Sequence, residues 1–207
     1  DAIRRITERI YDFYVQHNLL DELKAEPGKR FTANGVIYSY ARNEVWQVGD
    51  CQCIIDNLYS SNEKEIDAIM ADVRAVVNEV ALLGGATMKD LESHDPGREF
   101  IYPFLQKQAL LQNCPIQGQQ FSFSVFDGFP IQMEQVKVFP VGDAKEVVLA
   151  SDGYPHLYST LYASECYLAD ILEKDPLCIR LYKSTKGIQD WNCSFDDRAY
   201  LKIRINR

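Results

Sequence analysis

Residues 31–58, FTANGVIYSYARNEVWQVGDCQCIIDNL, decide the architecture. The runs 31–41, 44–50 and 51–58 are rich in β-branched and aromatic residues and alternate in polarity, the pattern of half-buried strands. Arg42-Asn43 is short enough for a tight connection, and Gly49-Asp50 supplies a bend. Three strands joined this closely predict an antiparallel meander.

Ahead of this stretch, Ile3, Ile6, Ile10, Phe13, Tyr14 and Leu20 recur at near-helical spacing up to Pro27-Gly28. They predict one amphipathic helix ended by a turn. Beyond it, 63–83 predicts a long helix with Ile66, Ile69, Val73, Val76, Val77 and Val80 as its buried stripe and Gly84-Gly85 as its stop. A second helical stretch, 98–112, has Pro103 near its start. Residues 121–126, 132–139 and 146–151 read as strands, separated by Asp127-Gly128 and by 140–143, then 164–173 as a short helix and 199–205 as a closing strand. Strands, then long helices, then strands again predict an α+β sandwich of antiparallel sheets with helices packed outside them. A single domain over 1–207 is expected, because the length suits one core and no linker or repeat interrupts it.

Charge and cysteine usage narrow the partners. Lys and Arg number 22 against 30 Asp and Glu, a net charge of -8 with no basic run, which argues against nucleic acid. The longest apolar stretches are interrupted by charges, so no membrane span is expected. The first segment is no signal peptide, and a chain starting at Asp1 rather than Met is expected to have lost an upstream portion. Cys51, Cys53, Cys114, Cys166, Cys178 and Cys193 form no CxxC pair and no regular framework. They read as reduced, buried thiols of a cytoplasmic protein rather than zinc ligands.

Three acidic turns stand at strand ends: Gly49-Asp50 in WQVGDCQCII, Asp152-Gly153 in EVVLASDGYP and Asp196-Asp197 in SFDDRAYLKI. An Asp-Gly after a strand is most often only a turn, as Asp127-Gly128 is read. Carboxylates at the rim of a sheet also converge on hard cations, which prefer oxygen ligands. In order and context these turns resemble the protein phosphatase 2C family, whose motifs include a strand ending in GDS, a strand ending in ASDG and a late DN or DD before the last strand. RFTANGVIYSYA stands where the family has the strand opening its meander, and the resemblance runs from about Phe31 to the carboxy terminus.

The resemblance implies a four-layer αββα sandwich of two antiparallel sheets flanked by helices, incomplete at the amino terminus. It also implies a binuclear Mg²⁺ or Mn²⁺ site in a cleft at one end of the sheets. Carried over by position, it makes Asp152 and Asp196 metal ligands, gives Asp50 a weaker metal role and Gly153 a backbone place beside the metals, and assigns no catalytic residue beyond the ligands. The implied substrate is a phosphoserine or phosphothreonine protein, with a small phosphate ester as the alternative.

The sequence also departs from the family. Cys51 replaces the usual Ser, Asp197 stands where Asn is frequent, Ala199 replaces Thr, and His156 stands where many members are acidic; His156 reads as a surface or packing residue. No DGxxG-type aspartate precedes Phe31, since Asp12 lies in a helical pattern and Asp21 in LLDEL. The resemblance therefore implies either a fragment inactive by itself or a degenerate phosphatase-like domain used as a binding and regulatory module. Sheets short of strands would expose unpaired edges, which favours homodimerisation, domain exchange or aggregation. Arg180, Lys183, Lys186 and Trp191, between two ligand turns, read either as a basic rim for phosphate or as a solvated loop. An amino-terminal-nucleophile amidohydrolase shares the layering but needs Thr, Ser or Cys first, and Cys51 and Cys53 have no His near in sequence.

Overall fold

The computed structural model describes residues 2–114, 120–189 and 192–206. In chain order the elements are α1 (Ala2–Gln16), α2 (Leu20–Ala25), β1 (Gly35–Ser39), β2 (Glu44–Val48), β3 (Gln52–Ile55), β4 (Leu58–Ser61), α3 (Glu65–Leu83), α4 (Met88–Ser93), α5 (Pro96–Lys107), β5 (Lys137–Pro140), β6 (Glu146–Ala150), α6 (Leu161–Lys174) and β7 (Tyr200–Arg204). The strands form two antiparallel sheets, ordered β1-β2-β5 and β4-β3-β6-β7. The fold is α+β, as the sequence pattern predicts.

Period-2 alternation explains how the sheets are covered. Val45 of β2, Cys53 and Ile55 of β3, and Val147 and Leu149 of β6 share one cluster with Val36 and Tyr38 of β1, so they fill the space between the sheets. Their alternates face outward: Trp46 and Val48 pack with Ile3 and Ile10 of α1, and Ile54 and Val148 with Leu168 of α6. This is compatible with a sandwich. Among the described residues no helix is long and apolar enough to cross a membrane.

The predicted meander is corrected. β1 and β2 pair in one sheet, but β3 pairs with β4 and β6 in the other. Gly49, at φ +79°, turns the chain out of the first sheet. A β-carbon there would lie 2.1 Å from Asn34 Oδ1, so the corner requires glycine. The predicted strand 121–126 makes only isolated bridges, Ala33 with Phe126 and Gln112 with Phe123. Asp127 is more than a turn residue: its buried carboxylate accepts from Arg30 Nη1, Gln112 Nε2, Asn113 Nδ2 and the Phe129 amide at 2.8–3.2 Å. Residues 132–139 begin with a 3₁₀ turn at Met133–Gln135 before β5.

The helices also differ from expectation. The predicted first helix is two, because Asn18 takes φ +56° after α1; Ile3 and Tyr14 are buried while Ile6 and Phe13 are exposed. The buried face of α3 is shifted from the predicted stripe: Met70, Ala71, Arg74, Ala75 and Asn78 are buried, Ile66, Val73 and Val77 are half-buried, and Ile69, Val76 and Val80 are exposed. Small Ala71 and Ala75 permit close approach, and Arg74 finds acceptors. It donates to Asp95 Oδ2 and to the carbonyls of Leu177, Cys178 and Ser184. Gly97 of α5 completes this packing, since a β-carbon there would lie 2.5 Å from the Arg74 carbonyl. The 98–112 prediction resolves into α5, capped by Asp95 accepting from Arg98 N, and α4 is set by a Thr87/Asp90 capping box. α6 begins earlier than predicted because Thr160 caps it.

Candidate functional site

Antiparallel register places the three aspartates. Asp50 lies just before β3 and Asp152 just after β6, and Gln52 pairs with Ala150, so both emerge at one end of the sheet. β7 enters at that same end, with Tyr200 opposite Ala150, which brings Asp196 and Asp197 alongside. Ser151 and Ala199 extend this pairing: Ser151 N donates to Ala199 O, and Ala199 N to Ser151 Oγ at 2.9 Å. Gly153 sits so close that an added β-carbon would lie 2.2 Å from the Asp197 carbonyl.

Asp50, Asp152 and Asp196 line one cleft of about 150 Å³. Gln52, Glu63, Lys64, Asp67, Tyr182 and Lys183 are among its other walls. Positions 50, 152 and 196 thus share one cleft. Gln52 Nε2 braces the Asp152 turn by donating to Tyr154 O at 2.7 Å. The Asp50 turn is fixed by Asn62 Nδ2 donating to Gly49 O at 2.7 Å and by Gly49 N donating to Ser124 Oγ.

The carboxylates are not equivalent. Lys64, which precedes α3, places Nζ 2.5 Å from Asp50 Oδ2, and Asn34 Nδ2 donates to Asp50 Oδ1. Lys186 Nζ lies 2.6 Å from Asp196 Oδ1. Among the described residues Asp152 has no ion-pair partner, and its carboxyl is pushed up to about 6 by burial first and then by the charges of Asp50 and Asp196. Burial also raises Asp67, helped by Asp50 and opposed by Lys64. The Lys64 ammonium is weakened by burial, but Asp50, Asp67 and Asp152 outweigh this and hold it above lysine's usual value. It is therefore charged.

The basic rim is present only in part. Lys183 lines the cleft but pairs with Asp72 at 2.6 Å, Arg180 pairs with Glu79 at 2.5 Å, and Trp191 lies outside the described residues. His156 stacks among Tyr59 and Tyr158, ring centres 4.6 and 4.9 Å away, and is not a wall of this cleft. All six cysteines are free; Cys51, Cys53 and Cys178 are buried, but Cys166 and Cys193 are exposed, which corrects the expectation of buried thiols. Burial pushes the Cys51 and Cys53 thiols up to about 12 and about 11, the opposite of what a thiolate nucleophile needs.

Sequence reasoning missed Lys64, Asn34 and Asp67. A lysine opening a helix looks like any solvated charge, and only the corner at Gly49 brings Asp50 to it.

The donor set falls short of a metal centre. Among the described residues no three His, Cys, Asp or Glu side chains are placed to hold a metal ion together, and two of the three aspartates already carry an ammonium. These residues do not fit a metal pair unaided. No protein-family model, curated protein or solved structure matches the chain.

Proposed function

We propose that the chain is a protein phosphatase 2C-like domain, an αββα sandwich whose Asp50–Asp152–Asp196 cleft is the phosphomonoester site of a metal-dependent phosphoprotein phosphatase. By itself it does not turn over. The observation that supports this is the meeting of three aspartates, named from motif order alone, at one end of one sheet. The Asp152 carboxyl, raised by burial and then by Asp50 and Asp196, supports it further, since a perturbed carboxylate in a cleft is a mark of functional sites.

Mn²⁺-dependent hydrolysis of a phosphothreonine peptide by the chain and by the full-length gene product tests this, each with Asp152→Asn. Activity in the full-length protein that falls by about 10²-fold or more on substitution is expected. Activity indifferent to Asp152→Asn overturns the reading.

The second reading is a phosphatase-like binding module. It is favoured by Lys64 and Lys186, which neutralise two of the three aspartates without any divalent ion. Phosphopeptide binding by the full-length protein without Mn²⁺ and without hydrolysis would select it.

A further inference from the structure

The phosphatase 2C resemblance expects a loosely held divalent cation near Asp50, yet the geometry places a tethered monovalent one there. Lys64 Nζ is 2.5 Å from Asp50 Oδ2, 3.7 Å from Asp67 Oδ2 and 5.0 Å from the centre of the Phe123 ring, and its side chain is only 12 % exposed. The other Asp50 oxygen is taken by Asn34 Nδ2. Both ends of the ammonium's tether are fixed, because Lys64 opens α3 and Asp50 sits in a corner that Gly49, Asn62 and Ser124 lock. Lys186 on Asp196 differs, being 38 % exposed on a long flexible stem, so it exchanges with solvent and competing ions.

We propose that Lys64 is a built-in counter-ion that keeps Asp50 out of metal ligation. This rests on the phosphatase 2C-like reading of the cleft. A divalent ion brought to Asp50 would meet a buried like charge within a few ångströms, where water screens little. It would also have to compete with two donors already seated on Asp50, one on each carboxylate oxygen.

Mn²⁺ titration of the full chain, followed by loss of the free-ion electron paramagnetic resonance signal at fixed pH and ionic strength, tests the proposal. Lys64→Met is expected to bind Mn²⁺ at least about tenfold tighter than wild type, and Lys64→Met with Asp50→Asn to return to the wild-type affinity. Lys64→Gln keeps a donor for Asp50 and repeats the gain if the Met variant folds poorly. Equal affinity in wild type and both Lys64 variants overturns the proposal, as does a gain that survives Asp50→Asn. Phosphopeptide hydrolysis by the full-length protein that is indifferent to Asp152→Asn would sink the phosphatase reading, while the Mn²⁺ titrations decide the role of Lys64 separately.

Discussion

Replacing Arg74 by methionine tests the packing that holds the cleft's outer wall. Arg74 is fully buried, with Nη2 2.6 Å from Asp95 Oδ2, Nε 2.8 Å from the same oxygen, Nη2 2.9 Å from Leu177 O, and Nη1 2.8 Å from Ser184 O and 3.3 Å from Cys178 O. Methionine fills most of the volume but takes a donor from Asp95 and strands the carbonyls of Leu177 and Ser184, while Cys178 O keeps the Ser184 amide at 3.0 Å. Breaking a buried ion pair costs about 3–5 kcal/mol, and each stranded carbonyl adds up to about 1–3 kcal/mol where water does not reach it. We expect a net loss of about 4–5 kcal/mol, a Tm lower by about 8–20 °C for a domain this size. Thermal and urea unfolding followed by circular dichroism measure it, and the Arg74→Met, Asp95→Asn double-mutant cycle should return strong coupling. A Tm fall under about 3 °C would refute the view that this guanidinium organises the 175–188 loop.

Two further outcomes concern the aspartate cleft. Asp152 titrates at about 6 in the fold and near ~3.9 unfolded, so the folded state holds the extra proton between these values and its contribution to stability falls as pH rises through that window. Asp152→Asn should match wild type at about pH 4 and exceed it above about pH 6 by on the order of 1–2 kcal/mol, discounted for partial solvent exposure; a constant gap across pH would contradict this. Gly153→Ala should cost about 1–3 kcal/mol, because its β-carbon meets the Asp197 carbonyl at 2.2 Å, whereas Gly28→Ala, with nothing nearer than 3.9 Å, should stay within about 0.5 kcal/mol. Thermal melts of both decide it.

Strand ends and the acidic turns were legible because alternation of Val, Ile and aromatic residues stops where Gly-Asp or Asp-Gly begins. Their convergence was less so, since it depends on Gln52 pairing with Ala150 and Tyr200 with Ala150, which no local pattern encodes. The corner at Gly49 was read as a bend within one sheet because a positive φ leaves the same sequence trace whichever way the chain then runs. On α3, periodicity picked Ile69, Val76 and Val80, but the buried face was chosen by size at Ala71 and Ala75 and by acceptors for Arg74. Hydrophobic spacing carries no information about such acceptors. Asp127 looked like a turn residue because its partners Arg30, Gln112 and Asn113 come from elsewhere in the chain.

The pairing of Lys64 with Asp50 also bears on the order in which the site comes into being on the ribosome. The two residues are close in sequence, so a nascent chain can join them as soon as β3 and the start of α3 have emerged. Asp152 and Asp196 arrive much later, the last of them just ahead of β7. At about 5–20 residues per second, the roughly 130 residues between Lys64 and Asp196 take on the order of 7–26 s to synthesise. A chain that has reached only the start of α3 thus already holds the cation for Asp50, whereas the Ser124 hydroxyl that fixes the Gly49 corner is still to be made.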